Sequence, residues 1–68
     1  MKQIVVGFSV FDFQKDYLDK LSDREKHEHY LETSSSQAYD NVNDFFYELN
    51  DDRVDTENYF WYLINISE

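Results

Sequence analysis

The chain of 68 residues contains no cysteine and no proline, and Gly7 is its only glycine. Lacking cysteine, it has neither a disulfide framework nor a thiolate metal site, and it suits a reducing cytoplasm. A single glycine excludes the Gly-rich loops that cradle phosphates. So few breakers favour regular elements over loose linkers. Long apolar runs are missing too. The longest apolar or aromatic run is 59–64, far below the ~20 residues that cross a bilayer. Residues 4–10 are too short for a secretory signal, and Asp12 and Lys15 follow them directly. The expected localisation is therefore cytoplasmic, with no membrane association.

Basic residues are also scarce: six Lys and Arg stand against 15 Asp and Glu, for a net charge of −9. Most of it lies in the second half. Residues 36–68 carry eight carboxylates against Arg53 alone, or −7, whereas residues 1–35 sum to −2. Such a field repels phosphate, and no basic aromatic patch offsets it, so direct nucleic-acid binding is not expected. Catalysis has little to stand on. There is no thiol nucleophile, His27 and His29 are the only histidines, and no serine lies at a diagnostic spacing from them. Carboxylates are plentiful, but an acid–base pair needs a pocket that separates their pKa values, which so small a domain rarely builds. The chain is not expected to be an enzyme and calls for no cofactor.

What the sequence has in quantity is aromatic residues, 19% of the chain. One small acidic domain over residues 1–68 is expected. A chain of this size buries only about 60% of its unfolded surface, and each large ring can bury roughly 150–250 Å². High charge alone would suggest disorder, but disordered segments are poor in aromatic and β-branched residues, and this one is rich in both.

Hydropathy periods place the elements. Ile4, Val6, Phe8 and Val10 alternate with Val5, Gly7, Ser9 and Phe11, predicting a strand over residues 3–11 in which Gly7 marks a bulge or a close backbone approach. Phe13, Tyr17, Leu18 and Leu21 fall at helical spacing and predict a short helix over 14–21. Ser22 and Glu25 match a capping box, which signals a fresh helical turn. Residues 27–33 alternate nonetheless, and a helix there would turn only Tyr30 and Leu31 inward, so a second strand is expected.

Ser34 and Gln37 again have capping-box spacing. Ala38, Val42, Phe45, Phe46 and Leu49 then form one apolar stripe, predicting the main helix over 36–49. A polar loop leads to a strand over 58–66. Its two faces, Tyr59, Trp61, Leu63 and Phe60, Tyr62, Ile64, Ile66, are both apolar. It is therefore either central and covered on two sides or half of an interface. The fold class expected is α+β: a small, mainly antiparallel three-stranded sheet on one main helix, with a short extra helix. Apolar residues left on the uncovered side argue for a homodimer.

Asp40, Asp44 and Glu48 are four apart and fall opposite the apolar stripe, and Asp51, Asp52, Asp55 and Glu57 extend the negative surface. The plain interpretation is a solvated polar face. Against it, like charges four apart repel, and anions at a helix C-terminus oppose the macrodipole, so lysines there would serve folding better. A basic partner explains the choice of carboxylates. Asp12, Asp16, Asp19 and Asp23 alternate with Lys15, Lys20 and Arg24 and are expected to form a salt-bridged helix face instead. On a strand, His27 and His29 would point to one side, but two imidazoles do not complete a zinc site, and no metal is expected. Residues 51–57 resemble a calcium loop only faintly: Arg53 occupies a ligand position, and the glycine of the turn is missing.

The function expected is that of a small acidic protein-binding module whose carboxylates engage a basic surface. In its strongest form it imitates the charge of nucleic acid and blocks a nucleic-acid-binding protein, as an anti-restriction, anti-nuclease or toxin-neutralising inhibitor would. The alternative is a structural module that self-assembles through Tyr59, Trp61 and Leu63, with the acids serving solubility.

Overall fold

The computed structural model describes residues 2–67. The alternating segment near its start forms strand β1 (Lys2–Ser9), which is the middle strand of the sheet. Two helices follow, α1 (Lys15–Asp19) and α2 (Asp23–Glu32), then the short strand β2 (Gln37–Tyr39), helix α3 (Val42–Asn50) and strand β3 (Tyr59–Ile66). The sheet order is β2-β1-β3 with both pairings antiparallel, which makes this an α+β domain. Lys2 opposes Ile66 and Ser9 opposes Tyr59, so β1 is paired with β3 along its full length.

Because directly opposed residues share a face, Ile4, Val6 and Phe8 lie beside Ile64, Tyr62 and Phe60, with Ala38 completing the row. Helices α1 and α2 cover this side. Phe8, Leu18, Ile64 and Val6 are fully buried between sheet and helices, each contributing about 1.5–3 kcal/mol by leaving water. Phe13 packs edge-on against Phe8 at 5.3 Å between ring centres. Tyr62 donates its hydroxyl to Asp19 at 2.7 Å, tying α1 to β3. Burial, then that carboxylate, pushes the Tyr62 phenol up, while the Lys15 ammonium and the Tyr62 hydroxyl hold Asp19 below the usual range.

Residues 27–33 are not a strand: the segment is the body of α2. The capping box decides its start, with Ser22 Oγ accepting from the Glu25 amide at 3.2 Å and Glu25 Oε1 accepting from the Ser22 amide at 3.0 Å. The inward surface that the sequence seemed to lack comes from Lys26. Its side chain is buried at 8% exposure, its ammonium donates to the Leu21 carbonyl at 2.7 Å, and it sits 5.0 Å from the centre of the Tyr62 ring. The aliphatic stem of a lysine packs like an apolar residue when its head finds such partners.

The helix expected over 36–49 starts later. Gln37–Tyr39 pairs with Val5–Gly7 as β2, giving the middle strand its second neighbour. Residues 34–36 form a turn, Ser36 donating to Thr33. Asn41 then caps α3 by accepting from the Asn43 amide at 2.7 Å. The sheet thus takes three residues that helical periodicity alone assigns to the coil, and Ala38 ends on the opposite side from Phe45.

Helix α3 covers the second side of the sheet. There Trp61 contacts Phe45 at 5.4 Å and Tyr39 at 5.8 Å between ring centres, and Val5 is buried below. Gly7 lies directly beneath Trp61 as a close approach: an added Cβ would stand 2.6 Å from the indole. β3 is therefore covered on both faces yet lies at the edge of the sheet, with β1 in the centre. Among the described residues no helix is long and apolar enough to cross a membrane.

Candidate functional site

The acidic surface is built on α3 and the loop behind it. Asp44 is the third helical residue, where the partial positive charge of the helix N-terminus favours an anion. Tyr47 follows at i+3 and Asp51 at i+7, so the three form one row along the helix, roughly 10 Å from Asp44 to Asp51 at 1.5 Å per residue. Asp51 caps the helix C-terminus. Asp52 takes the left-handed conformation, with φ at 58°. The Asp52 amide donates to the Leu49 carbonyl at 3.2 Å and the Arg53 amide to that of Glu48 at 2.9 Å, which together make a Schellman ending. Glycine is the usual residue at that position, and three carboxylates around a helix C-terminus oppose the macrodipole.

Not all seven predicted residues play the same part. Asp40, Asp44, Asp51, Asp52, Asp55 and Glu57 are exposed, while Glu48 is half-buried. Asp40 precedes the helix and does not continue the row of Asp44 and Glu48, because the coil begins only at Val42. Glu48 approaches Arg53 at 3.8 Å. Asp55 folds its own loop: it accepts from the Asn58 amide at 2.8 Å, the Asn58 side chain at 3.0 Å and the Glu57 amide at 3.0 Å. Those donors, the Asn58 amide first, hold its carboxyl below the usual carboxylate range. Asp44, Asp51 and Asp52 thus remain as the grouped carboxylates with no ion-pair partner among the described residues.

The sequence reasoning missed two side chains in this surface. Phe46, assigned to the buried stripe, is 53% exposed, and Tyr47 is 67% exposed. The signal was available: three consecutive aromatics on a coil turning ~100° per residue cannot share one inward face. Phe45 takes the inward position and leaves its two neighbours outside.

The three residues expected to mediate self-association diverge. Trp61 is held in the aromatic layer, its indole N–H donating to the Asp55 carbonyl at 2.8 Å. Tyr59 stacks near it, ring centres 5.8 Å apart, and its hydroxyl accepts from Gln37 at 3.3 Å. Only Leu63 presents an exposed apolar side chain.

His27 and His29 do not share a face, since the segment is helical and residues two apart point in nearly opposite directions. His29 packs edge-on against Phe13 and Tyr17 and meets the Tyr17 hydroxyl at 3.1 Å, while His27 stacks on Tyr30. Among the described residues no three His, Asp or Glu side chains converge as metal ligands. No protein-family model matches the chain, and no curated protein or solved structure is similar to it.

Proposed function

We propose that this protein is a small acidic binding module that docks on a basic surface of a macromolecular partner and occludes it. A nucleic-acid-binding protein, whose phosphate-binding groove would accept such a row of anions, is the strongest form of that partner. The observation that carries the proposal is the surface of α3: Asp44, Asp51 and Asp52 are exposed without a counter-ion and flank the exposed rings of Phe46 and Tyr47. Carboxylates steer a basic surface into contact and set the salt dependence, and aromatic rings supply the dry contact area that charge alone lacks. Arginine side chains suit such a surface doubly, pairing with carboxylates and stacking on rings.

The test is capture from host lysate at low salt, followed by affinity measurement on the recovered partner. Asp44→Asn, Asp51→Asn and Asp52→Asn together should weaken binding at least ~10-fold and flatten its salt dependence, since each charged contact is felt over about 10 Å at 0.1 M salt. Phe46→Ala with Tyr47→Ala should weaken it without changing that dependence. Unchanged affinity in the folded triple variant rejects the surface as the binding site.

A further inference from the structure

The outer edge of β3 is the one long row of main-chain groups that the fold leaves unpaired. Val10 donates to the Asn58 carbonyl at 2.9 Å, and the β1–β3 register is continuous from that point. Because antiparallel hydrogen-bonded pairs alternate, Phe60, Tyr62, Ile64 and Ile66 turn their main-chain groups toward β1. Tyr59, Trp61, Leu63 and Asn65 therefore turn theirs outward. The Asn65 amide is already taken, donating to Asp23 Oδ2 at 2.9 Å. At the other end the Glu57 amide donates to Asp55 Oδ1 at 3.0 Å. Between these two capped amides lies a free window of Tyr59, Trp61 and Leu63, none of whose amides has a partner among the described residues.

We propose that this window pairs with the same window of a second copy, antiparallel and centred on Trp61, to join two sheets into one running β2-β1-β3-β3-β1-β2. The window is its own complement. A two-fold axis at Trp61 sets Tyr59 against Leu63 of the second copy and Trp61 against its equivalent, and it sets each capped end against the opposite capped end. Every free amide then finds a carbonyl, and the exposed Leu63 side chain is covered by a tyrosine ring on the same face. Charge selects the direction. A parallel pair would place two loops bearing Asp51, Asp52, Asp55 and Glu57 side by side. The antiparallel pair carries each loop to the far end of the other strand, where Arg24 and His27 line a groove of about 370 Å³ with Asn65 and Ile66. Asp23 and Glu28 also stand at that end and oppose the incoming Glu57, which stops the ladder at Tyr59. β3 itself carries neither proline nor charge to block an incoming strand.

Sedimentation equilibrium over a range of protein concentration tests this. A dimer with a dissociation constant below about 1 mM is expected. It should tighten as salt rises from about 0.1 M to about 1 M and the Debye length falls from ~10 Å to ~3 Å, because two chains of −9 repel. Binding to a basic partner weakens under the same change, so the two readings fail separately. Leu63→Pro removes only an outward amide and should give a folded monomer, whereas Leu63→Val should remain dimeric. If the proline variant does not fold, amide exchange on the wild type decides: Tyr59, Trp61 and Leu63 should exchange about tenfold more slowly at concentrations that form the dimer. A wild type that stays monomeric at every salt, or a folded proline variant that still dimerises, overturns the proposal. So does protection of those amides by an added foreign strand peptide but never by a second copy.

Discussion

Replacing Gly7 with alanine probes the packing that seats α3 on the sheet. The new methyl would stand 2.6, 2.7 and 2.8 Å from Cζ3, Cε3 and Cη2 of Trp61, where carbon atoms normally rest about 3.5–4.0 Å apart. The indole must retreat by roughly 1 Å. It has little freedom to do so, since its N–H is bound to the Asp55 carbonyl at 2.8 Å and Phe45 and Tyr39 stand against its ring. Overpacking of this kind costs about 1–3 kcal/mol, and the stiffer unfolded chain returns about 0.4–1 kcal/mol, leaving a net loss of about 1–2 kcal/mol. For a domain this small each kcal/mol lowers the melting temperature by ~4–8 °C. Urea unfolding followed by Trp61 fluorescence and far-ultraviolet circular dichroism should show a lower midpoint with an unchanged slope. In a Trp61→Leu background, followed by dichroism alone, the same substitution should cost less than about 0.5 kcal/mol. A Gly7→Ala protein as stable as the wild type would refute the close-approach account, and equal costs in both backgrounds would show that the clash lies elsewhere.

Two further outcomes follow from the helix ending and its loop. Asp52→Gly should raise the urea midpoint by about 0.5–1 kcal/mol, because glycine holds φ near 58° without strain; no gain would mean that the acid costs the fold nothing there. Asp55 has its carboxyl held low in the folded chain, so the stability it supplies is present above the unfolded value of 3.8 and is lost as pH falls through the lower folded value. The gap in stability between wild type and Asp55→Ala should accordingly be widest near neutral pH and narrow in acid, and a gap independent of pH would exclude the ionised carboxylate as its source.

Elements whose side chains follow a simple period were readable in advance. β1 and β3 alternate strictly, and both lie where that alternation puts them. Gly7 carried a usable signal as well, since a glycine within a strand implies that something comes close. The second strand was hidden because three residues, Gln37–Tyr39, are too few to display a period; only the demand of β1 for a second neighbour fixes them. α2 was misread because Lys26 was scored by its charge, whereas its stem is what packs. The same limit blurred the site: Asp44, Glu48, Asp51 and Asp52 do gather at α3, but Asp40 depended on a helix start set by Asn41. The exposed Phe46 and Tyr47 follow from where Phe45 points, which tertiary contact decides.

Pairing Lys2 with Ile66 means that the middle strand meets its long neighbour at the opposite extreme of the chain. A nascent polypeptide leaving the ribosome would have β1 in hand throughout, with only β2 to hold it, until almost the last codon had been read. Contacts of such separation slow the search for the native state and leave apolar strands uncovered meanwhile. The heavy negative charge along this sequence then has a use before any partner arrives: it keeps unfinished copies apart while they wait for β3.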